Sequence, residues 1–224
     1  RLKTDYIDLY KMHWPMRGSY MFRQNWTFDP SSQNRAQTMD HMMDVLSALD
    51  VAVKAGKIRA IGMSNESTWG MTQWTRLAEE HGLPRMASVQ NEYSLLCRLY
   101  DTDMAEMAVN EDVTLLSFSP LACGLLTGKY QNDVIPAGSR RSIGADLGGR
   151  MMPRTLPTVQ VYLDIAAKHG IAPDHMAMAW QRTRPFPISA IFGTTTATQL
   201  EHLLEGRNME LSSEILKEIS AAHR

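Results

Sequence analysis

Residues 56–65, Gly-Lys-Ile-Arg-Ala-Ile-Gly-Met-Ser-Asn, decide the fold of this chain. Within them, residues 58–64 form a short apolar run that starts after a glycine and ends in polar residues, a pattern typical of a strand. Residues 35–55 before this run and 68–81 after it space their apolar side chains as helices do. A strand between two helices indicates βαβ architecture, in which parallel strands pack against a layer of helices.

The same alternation continues along the chain. Further strands are predicted over residues 6–13, 87–90, 114–119 and 188–192, and further helices over 102–110, 158–169, 173–184, 197–204 and 213–222. We expect the strand over 6–13 to be buried. Residues 130–157, rich in Gly, Pro, Ser and Arg, are expected to form a long loop. Five parallel strands alternating with helices make this an α/β protein.

Polar residues collect where the predicted strands end, and this favours one α/β architecture over another. Active sites of (β/α)8 barrels lie at this rim. The alternative, a doubly wound sheet, needs a Gly-rich fingerprint after its first strand, and the sequence lacks one. A whole barrel has eight strands and about 250 residues. We therefore expect an incomplete barrel whose apolar strand edges are exposed and prone to pair with another copy.

The composition of the 224 residues excludes several classes of protein. With 44% hydrophobic and 21% charged residues, it is that of a globular domain. Because 23 Lys and Arg oppose 24 Asp and Glu, the chain has no positive field to attract nucleic acid or a membrane. Neither a signal peptide nor a membrane span is evident, and two cysteines make no disulfide framework, so we expect a cytoplasmic protein. Since the strand pattern begins soon after Arg1, we also expect sequence upstream.

Five residues at or next to consecutive strand ends are candidates for ligand binding. At the end of its strand, the His13 imidazole suits a hydrogen bond to a substrate carbonyl, although a core histidine bonded to a backbone carbonyl explains the pattern equally well. The hydroxyl and amides of Ser64, Asn65 and Gln90 suit a flat polar ligand such as a carboxamide. The alternative for Ser64 and Asn65 is capping of the next helix. Phe118 offers a ring face to a planar heterocycle, or else packs in the core.

Two further segments could bind phosphate groups. One is a glycine-containing loop whose cations could clamp phosphates; they are Lys129, Arg140, Arg141, Arg150 and Arg154. The alternative is a solvated charged loop, which we favour for Arg150 and Arg154. The other segment is the turn 193–196 before a predicted helix, since backbone N–H groups at such a turn bind anions. No pair of histidines has the sequence spacing of metal ligands.

Several of these segments together resemble the aldo-keto reductase family, and in particular its Tas-type reductases and potassium-channel β subunits. They are residues 5–15, 56–65, 89–96 and 119–130, and the turn at Gly193 ahead of Gln199. The resemblance implies a (β/α)8 barrel that binds NADPH across its carboxyl-terminal rim. This chain would supply about the last five βα units, as one NADP-dependent oxidoreductase domain over residues 1–224.

The resemblance also implies a role for each candidate residue. His13 would orient the substrate carbonyl, and Phe118 would stack on the nicotinamide ring in place of the usual Tyr or Trp. The nicotinamide carboxamide would be held by Ser64, Asn65 and Gln90. The pyrophosphate and 2′-phosphate would be contacted by Ser119, Pro120, Leu121, Gly124, Lys129 and Arg140. The adenosine end would be contacted by Gly193, Thr195 and Gln199.

The sequence departs from the family pattern in two ways. Leu203 stands where the family has an adenine-binding Asn. The family's catalytic Asp, Tyr and Lys belong to strands that precede the one ending in His13, so we expect them upstream of this chain. The implied function is reduction of aldehydes or ketones to alcohols with NADPH. A non-catalytic NADP(H)-binding regulatory module is the alternative, and a phosphate-handling barrel enzyme of another family is a third hypothesis.

Overall fold

The computed structural model describes residues 3–223, so Arg1, from which we infer upstream sequence, lies outside the described residues. The strands are β1 (Ile7–Met12), β2 (Ile58–Ser64), β3 (Met86–Gln90), β4 (Thr114–Phe118) and β5 (Ile188–Ile191). The α-helices are α1 (Arg35–Lys54), α2 (Thr68–His81), α3 (Met104–Asn110), α4 (Arg140–Ile143), α5 (Thr155–Lys168), α6 (Pro173–Arg182), α7 (Ala197–Glu205) and α8 (Ser213–Ala222). None of these helices is both long and apolar enough to cross a membrane.

The strands form one parallel sheet in the order β1-β2-β3-β4-β5. Each strand is followed along the chain by at least one helix, because parallel neighbours need a crossover connection. The α/β class and the βαβ alternation are thus confirmed. Five parallel strands alternating with helices are consistent with an incomplete (β/α)8 barrel.

By internal contacts the chain divides into two compact units. The first comprises residues up to Asn91 together with Tyr100–Leu116, and it holds β1–β3, α1–α3 and the start of β4. Its core is built from the apolar stripes of α1 and α2 and from β2 and β3, whose most buried large side chains are Met42, Leu46, Ile61, Met63, Met71 and Met86. Burying a side chain of this size contributes about 1.5–3 kcal/mol, so this core stabilises the strand ends it carries.

The second unit comprises Glu92–Leu99 and the chain from Ser117 onward. It holds the end of β4, β5 and the helices α4–α8. Aromatic rings dominate its core: Tyr93 stacks on Trp180 with ring centroids 5.2 Å apart, and Phe186 meets Tyr93 edge-on at 5.8 Å. Tyr162 is also buried and donates its hydroxyl proton to the carbonyl of Leu95.

Most element boundaries agree with the sequence patterns, and the exceptions have local causes. Helix α2 spans the predicted residues, and Ser212 caps α8 by accepting from the Ile215 N–H as expected. The predicted loop 130–157 is interrupted by the short helix α4, and α5 begins at Thr155. Short polar helices such as α4 have no apolar periodicity to reveal them.

The prediction that the first strand is buried is wrong. β1 lies at one edge of the sheet, with β2 as its neighbour, and its residues are exposed or half-buried. Tyr10 is 42% exposed and Ile7 is 37% exposed. The alternation of β-branched and aromatic residues that predicts a strand carries no information about how many neighbours that strand has. β5, at the other edge, has the same mixed exposure.

A buried charge fixes the connection between β2 and α2. The Glu66 side chain is 0% exposed and that of Arg17 is 10% exposed, and the guanidinium binds both carboxylate oxygens. The indole N–H of Trp74 donates to Oε2 at 3.2 Å, and the backbone N–H of Ser67 donates to Oε1 at 2.7 Å. A buried carboxylate is tolerated because each of its oxygens is paired in this way.

We expect Arg17→Met to lower the free energy of unfolding by about 3–5 kcal/mol, because it leaves the Glu66 charge buried and unpaired. The matched control is Arg76→Met, which removes an exposed i,i+4 pair with Glu80 and should change stability by about 1 kcal/mol or less. Urea unfolding of the two variants measures both quantities. Similar losses in the two would contradict the role given to Glu66.

Candidate functional site

Asn65 organises the carboxyl ends of the strands in the first unit. It follows β2 directly, is 1% exposed, and has a left-handed backbone with φ of 57°. Asn tolerates this conformation better than most residues, but it remains uncommon outside glycine. Such a conformation at a strand end turns the side chain back toward the neighbouring strands rather than along the chain.

The Asn65 amide has its orientation settled by its partners. Its Nδ2 group donates to the His13 carbonyl at 3.0 Å and to the Ser64 hydroxyl at 3.1 Å. A carbonyl can only accept, so the atom facing it must be the nitrogen. The amide oxygen Oδ1 is buried and has no hydrogen-bond partner among the residues that the structure describes. The strand ends thus present one buried acceptor in need of a donor.

Ser64 and Gln90 join β2 to β3 at the same edge. The Ser64 hydroxyl donates to the Gln90 carbonyl at 2.8 Å, and the backbone N–H of Asn65 donates to the same carbonyl at 3.0 Å. The single hydroxyl proton of Ser64 is therefore used inside the protein, and its oxygen can only accept further bonds. The side-chain oxygen of Gln90 accepts from the Lys11 ammonium.

Both alternatives proposed for the first-unit candidates are wrong. The His13 side chain is exposed, so it is not a core histidine. Helix α2 is capped by Ser67, whose hydroxyl accepts from the Gly70 N–H, so neither Ser64 nor Asn65 serves as its cap. The side chains of Ser64 and Asn65 thus bind the backbone carbonyls of Gln90 and His13, which holds the ends of β1, β2 and β3 together.

A strained turn follows β4 in the second unit. Half-buried Phe118 ends the strand, and Ser119, Ala122 and Cys123 after it all have positive φ, near 50–60°. Backbone bonds close the turn: the Ala122 N–H donates to the Ser119 carbonyl at 2.8 Å. Three non-glycine residues in the left-handed region within five positions are costly, and strain of this kind clusters at ligand-binding sites.

The same turn brings two of the predicted phosphate-binding residues together. A side chain added to Gly124, which has φ of +91°, would come within 2.8 Å of Cε and 2.9 Å of Nζ of Lys129. The lysine therefore lies across the glycine backbone, which only the missing Cβ permits. Pro120 is buried and Leu121 is half-buried.

The cations of the following loop divide into fixed and exposed ones. Arg150 binds the Glu92 carboxylate at 3.0 Å, with both side chains at least nine-tenths buried, and Arg141 binds Asp133 at 2.8 Å. Our preference for a solvated Arg150 is therefore wrong. The sequence pattern does not reveal the pairing, because Glu92 lies far from Arg150 along the chain. Arg140, at the start of α4, and Arg154 have exposed side chains.

The turn before α7 is exposed and builds its own cap. The Thr196 hydroxyl accepts from the Gln199 N–H, and the Gln199 side-chain oxygen accepts from both the N–H and the hydroxyl of Thr195. The predicted helix start is confirmed, and the structure brings Thr195 and Gln199 together, while their contact with adenosine stays a prediction. Because the Thr195 N–H is already bonded, fewer donors point outward than the sequence suggests, while Gly193 is exposed.

Two residues of the strand-end network were not predicted. Lys11 precedes His13 by two positions, so the alternation of side chains along a strand could have placed it on the same face. Burial lowers the pKa of its ammonium group. Asn91 holds the backbone on both sides of Glu66, through its Oδ1 and Nδ2 atoms at 3.2 and 2.9 Å, and no sequence signal distinguishes it from a loop asparagine.

We expect Ser64→Ala to lower the free energy of unfolding by about 0.5–1.5 kcal/mol, since a buried hydroxyl loses its bonds to Gln90 and Asn65. The matched control is Ser88→Ala on β3, because the Ser88 hydroxyl is equally buried but has no hydrogen-bond partner among residues 3–223. That variant should be neutral or more stable. Chemical denaturation of both tests the network, and the reverse order of stabilities would contradict it.

Comparison with known proteins identifies several relatives. The Tas protein of Escherichia coli K12 is 40% identical over 227 residues, which cover 100% of this chain and 64% of that protein. An aldo-keto reductase of Babesia bovis is 36% identical over 214 residues, or 89% of this chain and 73% of that protein. An NADH-specific methylglyoxal reductase of E. coli is 24% identical over 212 residues, or 95% and 57%. The chain thus spans just under two thirds of the length of Tas.

The model of the "Aldo/keto reductase family" matches residues 1–224. Members of this family generally bind a nicotinamide cofactor. The match extends over both compact units, and the resemblance seen in the sequence motifs is thereby confirmed. The chain belongs to the aldo/keto reductase family.

Proposed function

We propose that residues 1–224 are an NADP-dependent oxidoreductase domain that binds NADPH and takes part in the reduction of aldehydes or ketones to alcohols. Membership of the aldo/keto reductase family supports the reaction class. The preference for NADPH over NADH is the more specific part of the proposal. Family membership does not decide it, because one relative at 24% identity is named as specific for NADH. The residues proposed for the nicotinamide carboxamide all lie in the first unit, and those proposed for the phosphate groups all lie in the second unit.

The buried, unpartnered Oδ1 of Asn65 is the observation that carries the proposal. An orphaned acceptor costs about 1–3 kcal/mol, and a donor supplied by a bound ligand would remove that cost. The carboxamide NH2 of nicotinamide is such a donor, and amide-to-amide pairing suits a flat ligand. Ser64 and the Lys11–Gln90 pair fix the surrounding groups, so Asn65 is held ready in this orientation.

The phosphate end of the proposal rests on the second unit. Lys129 lies across the Gly124 backbone within the strained turn after β4, and Arg140 is exposed on α4. Cationic side chains near exposed backbone suit phosphate oxygens, and an arginine suits the terminal 2′-phosphate, which it can bind through two parallel bonds. We assign the diphosphate to Lys129 and the turn, and the 2′-phosphate to Arg140.

When bound, the nicotinamide supplies the hydride that reduces the carbonyl carbon. Exposed at the end of β1, the His13 imidazole can donate a hydrogen bond that orients and polarises the substrate oxygen. The family pattern assigns protonation of that oxygen to a Tyr assisted by Lys and Asp, on strands preceding the one that ends in His13. A nearby ammonium makes the phenol, with an ordinary pKa of about 10, a stronger acid. In this proposal these three residues lie outside residues 1–224.

A non-catalytic NADP(H)-binding module is the second candidate. The observations that favour it are the same ones, since Asn65, Lys129 and Arg140 bear on binding, and only His13 bears on the chemical step. General acid catalysis contributes typically about 10²–10⁴-fold, and an imidazole alone does not replace the Tyr, Lys and Asp set. Binding and turnover are therefore separate questions.

The deciding experiment measures two quantities on the purified full-length protein, which in the reductase proposal includes the Tyr, Lys and Asp that lie outside residues 1–224. Protection against thermal unfolding by NADPH reports binding, and loss of NADPH absorbance with an aromatic aldehyde reports turnover. Protection with turnover supports the reductase, whereas protection without turnover supports the binding module. If neither NADPH nor NADH protects the protein, both candidates are contradicted.

We expect Arg140→Ala to weaken NADPH binding by roughly tenfold or more and to leave NADH binding nearly unchanged, because NADH lacks the 2′-phosphate. The matched control is Arg154→Ala, a second exposed arginine of the same region, which should alter neither. Titration of each variant with both dinucleotides gives the affinities. Equal losses for NADPH and NADH would remove the assigned role of Arg140.

We expect Asn65→Gly to weaken NADPH and NADH alike, by roughly tenfold, since both carry the same carboxamide. Glycine keeps the left-handed backbone at this position and deletes the amide, together with its bonds to the His13 carbonyl and the Ser64 hydroxyl. The control ligand is 2′,5′-ADP, which lacks nicotinamide and should bind the variant as it binds the parent protein. A variant that keeps full NADPH affinity would show that Oδ1 of Asn65 is satisfied by something else.

A further inference from the structure

A cluster of one aspartate and two histidines joins α6 to α7 in the second unit. Asp174 and His175 lie in the first turn of α6, and His202 lies on α7. The Nε2 atom of His202 is 2.9 Å from Oδ2 of Asp174, and the two imidazole rings stack with centroids 4.4 Å apart. One ligand atom from each of the three residues lies within 4.8 Å of the other two.

Hydrogen bonds to the backbone orient two of the three groups. The Asp174 Oδ1 atom accepts from the N–H of His175 at 3.0 Å, which leaves Oδ2 facing His202. The His175 Nε2 atom lies 2.6 Å from the His202 carbonyl oxygen. Since a carbonyl only accepts, Nε2 of the neutral ring carries the proton and Nδ1 carries the lone pair. Metal-binding histidines are typically held in this way, with the second nitrogen donating to a carbonyl.

The separation of two of the ligand atoms fits one small cation. Zinc binds imidazole nitrogen at about 2.0–2.1 Å and carboxylate oxygen at about 2.0–2.2 Å. Two ligands at those distances in tetrahedral or square arrangement lie about 3.0–3.4 Å apart, close to the separation of Asp174 Oδ2 and His202 Nε2. Asp174 and His175 are buried, whereas the His202 side chain is 46% exposed. The third ligand can therefore turn to close on an ion that enters from solvent.

Gly206 shapes the same site. A Cβ at this position would come within 2.4 Å of Cγ and 2.6 Å of Cδ2 of His175. The imidazole is thus packed directly against the backbone that follows α7, and its ring plane is fixed by that contact. The Glu205 carboxylate lies 3.8 Å from Nδ1 of His202 and adds negative charge at the open side.

A second cluster in the same unit makes a weaker case. His169, Glu214 and Glu218 also lie within 4.8 Å of one another. The ammonium of Lys168 occupies this group, at 2.5 Å from Glu218 and 3.7 Å from Glu214. A metal ion would have to displace the Lys168 ammonium, which already pairs with both carboxylates. This cluster therefore serves as the comparison.

We propose that Asp174, His175 and His202 form a site for a divalent transition-metal ion, for which Zn²⁺ is the best match, and that the ion clamps α6 to α7. Two imidazole nitrogens with one carboxylate oxygen are the ligand set that zinc accepts, with water in the remaining position. Mg²⁺ prefers oxygen ligands and is a poor match. The proposal does not depend on the nucleotide site.

The sequence conceals this site because its ligands are distant along the chain. His175 and His202 are separated by 27 positions, far from the short spacings that mark zinc motifs. Packing of α7 and the following Gly206 against the start of α6 brings them together. The expectation that the histidines hold no metal rests on spacing alone, and spacing detects only local motifs.

The test is a calorimetric titration of the purified protein with ZnCl2, and of the variants His202→Gln and His169→Gln. Glutamine keeps an N–H donor for Asp174, so the first variant preserves the hydrogen bond while deleting the ligand. We expect one Zn²⁺ per chain, at least tenfold weaker binding by His202→Gln, and unchanged binding by His169→Gln. Mg²⁺ should give no heat at the same concentrations.

A spectroscopic measurement keeps the test independent of folding effects. Co²⁺ in place of Zn²⁺ should give visible absorption bands in the parent protein and in His169→Gln, and lose them in His202→Gln. Absence of one-to-one zinc binding by the parent protein overturns the proposal. So does zinc binding that survives in His202→Gln, or that is lost instead in His169→Gln, because the second cluster would then hold the ion.

Discussion

The carboxylate of Glu66 is the constraint on which the first unit depends. Completely buried, it must be paired, and its partners come from the loop after β1, from α2 and from the backbone next to it. The Asn91 amide holds the backbone of the same residue from the β3 side. Through its carboxylate and its backbone, one residue thus ties together the connections that follow three strands. Asn65, its neighbour in the chain, takes its unusual backbone conformation within this framework.

The second unit solves a similar problem with a different pair. Arg150 and Glu92 are both largely buried. Because the two charges pair with each other, we do not assign either side chain to ligand binding. Ion pairs of this kind add little net stability over apolar packing, but breaking one is expensive. Their effect is to select one arrangement of the loops around them. The cations of this loop that are left exposed are distinguished from the fixed ones only by the structure; they are Lys129, Arg140 and Arg154.

Local patterns in the sequence predict the parts of this structure that local interactions determine. Helix α2 and the cap at Ser212 follow from periodicity and from the chemistry of side chains near a helix start. The exposure of β1 and the burial of Arg150 depend on neighbours far along the chain, and both predictions were wrong for that reason. The family motifs assigned a role to each candidate residue, whereas residue chemistry alone indicated only that some of them could bind a ligand. Their assigned ligand contacts stay predictions, and Lys11 shows that motif residues alone do not complete the network.

Position 65 meets two requirements that have no common origin. Its backbone must be left-handed, which glycine does best, and its side chain must donate to two acceptors at once, which needs an amide. Asparagine is the residue that meets both, so few substitutions are tolerable even in a protein that never meets a nucleotide. Evolutionary retention of this asparagine would then reflect folding as much as ligand binding. Its presence in a related sequence cannot by itself separate a reductase from a relative that has lost the reaction.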